Sequence, residues 1–217
     1  MNKKQVLIAL NGQLQGNVDD YKPIMKKEYS TFIAADGGVL LLEELGITPD
    51  VLLGDFDSIT EDKIKYYQKN NVEIIKYPNE KDETDGELAL KFCLDNNLDN
   101  IIIIGAQGGR LDQQLGNIFL LEYADYHGLK AVIMDPGLEM GLIVQKKIFN
   151  NCEGEYLSLI PLSKKVSEVS TKGCKYPLNN DHLYRYKTRG ISNLIIKEKA
   201  EVSIKEGLLI YLKHRFS

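Results

Sequence analysis

Apolar residues gather in short runs, several of them unbroken, along the first two thirds of the chain: Gln5–Leu10, Thr31–Ala35, Val51–Leu53, Val72–Tyr77, Ile101–Ile104 and Lys130–Met134. Runs of this length without alternation suit strands covered on both faces of a parallel sheet. Helical patterns lie between them. Val39–Leu45 closes at Gly46 with Pro49 beyond, which marks a helix C-terminus. Thr60–Asn70 reads as a helix opened by Thr60. Thr84-Asp85-Gly86-Glu87 reads as a capping box that starts a helix running to about Asn97. Leu111, Leu115, Ile118 and Phe119 recur at helical spacing and predict an apolar face on a helix that stops near Gly128. Strand–helix alternation of this kind predicts a doubly wound, Rossmann-like parallel α/β sheet.

The pattern changes after the turn tripeptide Asp135-Pro136-Gly137. The later segments are short and strand-like: Gly141–Val144, Tyr156–Ile160, Val166–Thr171, Leu183–Thr188, Asn193–Lys197, Ala200–Ile204 and Leu208–Leu212. Turn residues separate them, so a small C-terminal β-sandwich is expected. The expected division is an α/β domain over residues 1–140 and an all-β domain over 141–217.

Composition narrows the partners. The net charge of −4 argues against a nucleic-acid partner, because binders of a phosphate backbone carry a basic excess. An anionic nucleotide is still allowed, since a metal ion reverses the local sign. Cys93, Cys152 and Cys174 are far apart and form no CxxC pair, so free thiols in a reducing compartment are expected. Lys3-Lys4 precede an apolar run too short for a signal sequence. The remaining apolar runs are strand-sized, too short to span a bilayer as helices. A cytoplasmic protein with no membrane partner follows.

The chemistry lies where the predicted strands end. Asp36-Gly37-Gly38 follow the second strand, Asp55-Phe56-Asp57 the third, Asp82 and Asp85 the fourth, and Gly108-Gly109-Arg110 with Asp112 the fifth. In an open parallel sheet these positions share one rim, where ligands bind. Carboxylates placed together repel and raise one another's pKa unless they share a cation. A hard divalent ion with oxygen ligands relieves this most simply, which points to phosphate chemistry through Mg²⁺. Gly37-Gly38 and Gly108-Gly109 would let backbone N–H groups approach an anion. Arg110 would grip phosphate oxygens in a bidentate way. Neither GxxxxGK[ST] nor GxGxxG is present, so neither the P-loop nor the dinucleotide fingerprint applies.

Ala35-Asp36-Gly37-Gly38, Gly54-Asp55-Phe56-Asp57-Ser58, Asp82-Glu83-Thr84-Asp85 and Gly109-Arg110-Leu111-Asp112, with Leu115-Gly116-Asn117 after them, resemble the thiamin pyrophosphokinase family. Gly173–Leu178 and Thr188–Asn193 are similar to that family's C-terminal domain. The resemblance implies an ATP:thiamine diphosphotransferase that yields thiamine diphosphate and AMP. It implies Asp55, Asp57, Asp85 and Asp112 as catalytic Mg²⁺ ligands. It implies Asp36, Gly37, Gly38, Asp82, Thr84, Gly108, Gly109, Arg110 and Gln113 around ATP, and Ser192 and Asn193 on the aminopyrimidine of thiamine. It further implies a homodimer with shared active sites.

Two other readings compete. One is a diphosphokinase for another alcohol, such as a 6-hydroxymethylpterin; the Gly173–Leu178 and Thr188–Asn193 segments favour thiamine instead. The other is a nucleotide-sensing module without catalysis, which needs fewer carboxylates than the chain has. Without the resemblance, Ser192-Asn193 reads as a plain turn.

Overall fold

The computed structural model describes residues 5–215. The fold is mixed α/β, with a large, mostly parallel sheet and a small antiparallel one. The chain divides into two compact units, Met1–Pro136 and Gly137–Ser217, and the division falls inside the predicted turn tripeptide. No helix among the described residues is long and apolar enough to cross a membrane. Cys93, Cys152 and Cys174 are free and buried.

The first unit holds β1 (Gln5–Ala9), α1 (Lys22–Met25), β2 (Tyr29–Ala35), α2 (Gly38–Glu44), β3 (Val51–Gly54), α3 (Glu61–Lys69), β4 (Glu73–Lys76), α4 (Asp85–Asp95), β5 (Asn100–Ile104), α5 (Leu111–Tyr126) and β6 (Lys130–Asp135). Its six strands pair in parallel in the order β6-β5-β1-β2-β3-β4. The order reverses between β1 and β5, which makes a switch point whose crevice opens at the strands' carboxyl ends. The strands that flank it are fully apolar and almost wholly buried: Val6–Ala9 and Ile101–Ile104. Thr60 caps α3 by accepting from Lys63 N, and Thr84 caps α4 by accepting from Glu87 N, as their hydroxyls suggest. The segment between β1 and β2 has no periodic signal, yet it forms a 3₁₀ turn over Val18–Tyr21 followed by α1.

The helix expected to stop near Gly128 is α5, and its expected apolar face is not the buried one. Leu111, Leu115 and Phe119 are 70%, 48% and 52% exposed, while Leu120, Leu121 and Ala124 are buried. The helix carries apolar residues on two stripes, and periodicity cannot say which stripe faces the sheet. Gly86 in α4 settles it by leaving room for Leu120: a Cβ at Gly86 would lie 2.6 Å from Leu120 Cδ1.

The second unit holds β7 (Leu138–Ile143), β8 (Lys146–Asn150), β9 (Tyr156–Pro161), β10 (Lys165–Lys172), β11 (Asp181–Tyr184), β12 (Asn193–Leu194), β13 (Lys199–Ser203) and β14 (Leu209–His214). They pair antiparallel in two sets, β12-β9-β14-β7 and β11-β10-β13-β8. One core takes Leu157, Leu159 and Tyr211 from the first set and Phe149, Val166 and Val202 from the second. Strand β8 was not expected; lysines start it and only Phe149 along it is buried. The expected strand over Leu183–Thr188 stops at Tyr184, and Tyr186 is 77% exposed.

A buried polar hub fixes the loops near the switch point. Asp135, at the end of β6, is 2% exposed. It accepts from Tyr21 Oη at 3.0 Å and from Gln107 Nε2 at 2.9 Å, and Tyr21 Oη accepts from Gln15 N at 3.1 Å. Burial raises the Asp135 carboxyl above its ordinary range, against the pull of these donors. Removing Asp135 leaves the buried Tyr21 hydroxyl without its acceptor, and removing the Tyr21 hydroxyl takes one of the donors to buried Asp135. Asp135→Ala should therefore cost about 3 kcal/mol, and Tyr21→Phe about 1–2 kcal/mol, of folding stability. Urea unfolding midpoints measure both; a change below about 0.5 kcal/mol for Asp135→Ala would contradict the hub.

Candidate active site

A cleft of about 560 Å³ opens over the carboxyl ends of β1 to β5. A concavity of similar size lies at the opposite ends of the strands, beside Cys93, Asn97 and His127, but it has no carboxylate cluster. The chemistry is therefore placed in the first.

Each strand end aims its polar groups into this cleft by a local device. Asp36 follows β2 with φ 45°, a left-handed conformation that aspartate tolerates better than most residues. Its N–H donates to Leu53 O at 2.7 Å, which ties the residue to β3. Its side chain is buried, and Oδ1 is a buried oxygen with no hydrogen-bond partner. At the end of β3, Phe56 takes φ 66° and packs into the core. This turn costs strain for an aromatic residue, of order 1–2 kcal/mol. It sends Asp55 and Asp57 to the cleft together. Asp57 N donates to Asp55 Oδ1 at 3.2 Å, and Ser58 Oγ donates to Asp57 Oδ1 at 3.0 Å.

The result is a triad. Carboxylate oxygens of Asp36, Asp55 and Asp57 lie within 4.8 Å of one another. Two oxygens bound to one Mg²⁺ at about 2.1 Å are at most about 4.2 Å apart, so small side-chain shifts close the site. The all-oxygen donor set and the orphaned Asp36 oxygen fit a hard divalent cation. The sequence had placed Asp36 beside ATP rather than metal. Its position directly after an apolar strand, like that of Asp55 after the next one, was the available signal.

The fourth strand contributes Lys81 and Asp85. Lys81 Nζ lies 3.2 Å from Asp55 Oδ2 and 3.0 Å from Asp85 Oδ1. The second contact is an ion pair off the hydrogen-bond direction. Burial raises the Asp85 carboxyl; Lys81 opposes that rise, and Asp36 and Asp55 add to it, leaving the group above its ordinary range. Burial works against the Lys81 charge, but attraction to Asp85 and Asp55 outweighs it and holds the ammonium firmly protonated. Asp85 lies outside the triad.

The fifth strand supplies the anion side. Gly108, Gly109, Arg110 and Gln113 line the cleft. Gly108 has φ 91°, and a Cβ there would lie 2.7 Å from Gln13 Cβ, so the loop after β5 needs glycine to close on the loop after β1. Asn117 Nδ2 donates to Ala106 O at 3.0 Å and holds the same loop from α5. Arg110 and Asp112 are paired in bidentate fashion, at 3.1 and 2.5 Å, and both are exposed. The pair holds the Asp112 carboxyl below its usual range.

Not every expected residue comes to the cleft. Thr84 lines it, whereas Asp82 and Asp112 do not, and Asp112 is not grouped with the triad. Gly37 and Gly38 do not line it either. A Cβ at Gly38 would sit 2.0 Å from Ala9 O and one at Gly37 2.2 Å from Asn11 Oδ1. Their absence of side chains lets α2 pack against the end of β1. Asn11 and Gly12, directly after β1, line the cleft as well, and Asn79 and Lys81 line it without having been expected there. In the second unit, Ser192 has φ 56° and its N–H donates to Ser158 Oγ at 2.9 Å. Both polar atoms of the Asn193 side chain bond the Tyr176 backbone, at 3.0 and 2.7 Å.

Comparison with known proteins adds a second line. The family model described as thiamin pyrophosphokinase, catalytic domain, matches residues 23–133. The one described as thiamin pyrophosphokinase, vitamin B1 binding domain, matches residues 143–209. Thiamine pyrophosphokinase of Bacillus subtilis (strain 168) is 36% identical over 188 residues, covering 86% of this chain and 88% of that protein. A crystal structure of thiamine pyrophosphokinase from Bacillus subtilis superposes with a TM-score of 0.86 at 31% identity, over 99% of this chain and 100% of the other. The enzyme from Geobacillus thermodenitrificans gives 0.83 at 30% identity, over 98% of each chain.

A ligand that binds only the folded state stabilises it. At a hundred times its Kd it adds about 2.7 kcal/mol, worth roughly 5–10 °C in a chain of this size. Mg²⁺ or Mn²⁺ should raise the thermal midpoint of this protein by that order. Asp36→Asn and Asp57→Asn should lose most of the rise. Differential scanning of the three proteins checks it; an undiminished rise in both variants would place the cation elsewhere.

Proposed function

The chain belongs to the thiamin pyrophosphokinase family, and on that premise we propose that it moves the diphosphoryl group of ATP to the hydroxyethyl oxygen of thiamine, with Mg²⁺ held at the Asp36–Asp55–Asp57 triad. The observation that carries the reading is that triad, with its unpartnered Asp36 oxygen, beside the Gly108-Gly109-Arg110 loop. The match of the second unit to a vitamin B1 binding domain supports thiamine over a pterin alcohol. We read the first unit as a doubly wound, Rossmann-like domain for ATP and metal, and the second as a β-sandwich that helps bind thiamine.

The reaction is balanced simply. The thiamine hydroxyl oxygen forms a bond to the β-phosphorus. The bond from that phosphorus to the α,β-bridging oxygen breaks, and AMP leaves with the electron pair. A bound Mg²⁺ supplies neutralisation of polyphosphate charge. The rest is positioning, as phosphoryl transfer requires. Arg110 and the backbone of Gly108 and Gly109 hold phosphate oxygens. Asp85 lies outside the triad with its carboxyl raised above the ordinary range. It lines the cleft, and we assign it the hydroxyl proton, since a base works best with a pKa raised toward the working pH. In the second unit, Asn193 shapes the loop through its bonds to Tyr176, and Ser192 meets the aminopyrimidine.

A homodimer is part of this reading. The exposed α5 stripe of Leu111, Leu115 and Phe119 supports it, because contiguous apolar surface on a helix marks an association site. A double Leu115→Glu/Phe119→Glu variant should then behave in light scattering as the 24.5 kDa single chain, and the unmodified protein as twice that mass. Equal masses for the two would exclude the stripe as the interface.

The function itself is tested by mass analysis of products from ATP, Mg²⁺ and thiamine. Thiamine diphosphate and AMP should appear in equal amounts. Asp55→Asn or Asp57→Asn should lower turnover by roughly 10³-fold or more, the scale of several kcal/mol of metal-centred stabilisation. Stoichiometric ADP, or near-normal turnover in both variants, would contradict the assignment.

A further inference from the structure

Lys81 has no part in the chemistry just described, yet it bridges two of the cleft's carboxylates. Its side chain is 11% exposed, and the carboxylates it joins are 16% and 29% exposed. It reaches Asp55 and Asp85 at once, 3.2 and 3.0 Å away. Asp55 is therefore shared: one oxygen faces Lys81, and the residue also belongs to the triad with Asp36 and Asp57. A divalent cation at the triad would have to draw on a carboxylate already neutralised by an ammonium a few ångströms away. Like charges at such separation repel strongly in a half-buried site. Lys81 also lines the same cleft as Gly109 and Arg110, so an anion bound there lies within its reach.

We propose that Lys81 is an exchangeable counter-ion. Before ligands arrive it pairs with Asp55 and Asp85 and holds the two side chains in place. When a divalent cation takes Asp55, the ammonium leaves that carboxylate and pairs with the polyphosphate that enters beside it. Lys81 thereby disfavours the bare cation and favours the cation together with its polyphosphate. Metal and nucleotide then bind as a coupled pair, each strengthening the other, as linkage requires. The inference rests on the reading of this cleft as a metal–nucleotide site.

The test uses the full chain without thiamine. Mn²⁺ alone is titrated by electron paramagnetic resonance, and ATP is titrated at fixed Mg²⁺ by equilibrium dialysis. Lys81→Gln should bind Mn²⁺ about tenfold or more tighter than the unmodified protein, and ATP with Mg²⁺ about tenfold or more weaker. Lys81→Arg keeps the charge and should hold Mn²⁺ affinity within about threefold. Lys81→Met, which keeps the methylene stem, is held to the same criteria as Lys81→Gln should that variant fold poorly, and thermal midpoints report folding for each. A merely structural lysine would shift both affinities in one direction, and that result overturns the proposal. So does Mn²⁺ affinity that is unchanged in both neutral variants while the unmodified protein binds the ion. Failure of Mn²⁺ to bind any of the proteins overturns the metal reading, and this inference with it.

Discussion

Carboxylates crowd the carboxyl edge of a sheet that cannot move to separate them. Asp36, Asp55 and Asp57 follow the buried strand ends Ile33–Ala35 and Val51–Leu53, so their backbone positions are set by apolar packing. Two unit charges 4 Å apart repel by about 4 kcal/mol at an effective dielectric of 20. Such repulsion has three outlets: a proton, a lysine or a metal ion. The site shows the second directly: Lys81 bridges Asp55 to Asp85, and burial raises the Asp85 carboxyl above its ordinary range. One buried oxygen of Asp36 is left without a partner, as the proposed cation would require.

The same packing builds the anion side of the cleft. Asp135, Tyr21 and Gln107 form a buried hub that fixes the loop after β5, just ahead of Gly108 and Gly109. Asn117 holds that loop from α5. Phe56 in the core forces Asp55 and Asp57 to share a face. The cleft is thus preorganised in part by side chains that do not line it: Tyr21, Phe56, Gln107 and Asp135. Preorganisation is what a phosphoryl-transfer site needs, since little covalent chemistry is left for the protein to do.

The parallel strands were legible because unbroken apolar runs have no other economical use, and the acidic strand ends were legible because nothing apolar could replace them. Thr60 and Thr84 announced their helices through the hydroxyls that cap them. The less legible features depend on contacts distant in sequence. Leu111, Leu115 and Phe119 mark an apolar face whose direction the sequence does not give, and Gly86 invites Leu120 inward instead. Gly37-Gly38 looked like an anion cradle and are a close approach of α2 to β1. Asp36 reads as a nucleotide contact until the pairing of β2 with β3 brings it beside Asp55. Lys81 reads as one more charge in a polar loop until α4 is placed. Asn193 reads as a turn or a ligand contact, and its amide is committed to the Tyr176 backbone.

Anomalous diffraction from a crystal grown with Mn²⁺ and ATP tests most directly that the strand-end triad gathers the cation. A manganese peak is expected within about 2.0–2.4 Å of carboxylate oxygens of Asp36, Asp55 and Asp57, at oxygen-ligand distances usual for such ions. A peak held instead by Asp85 and Asp112, with Asp36 still without a partner, would contradict the account.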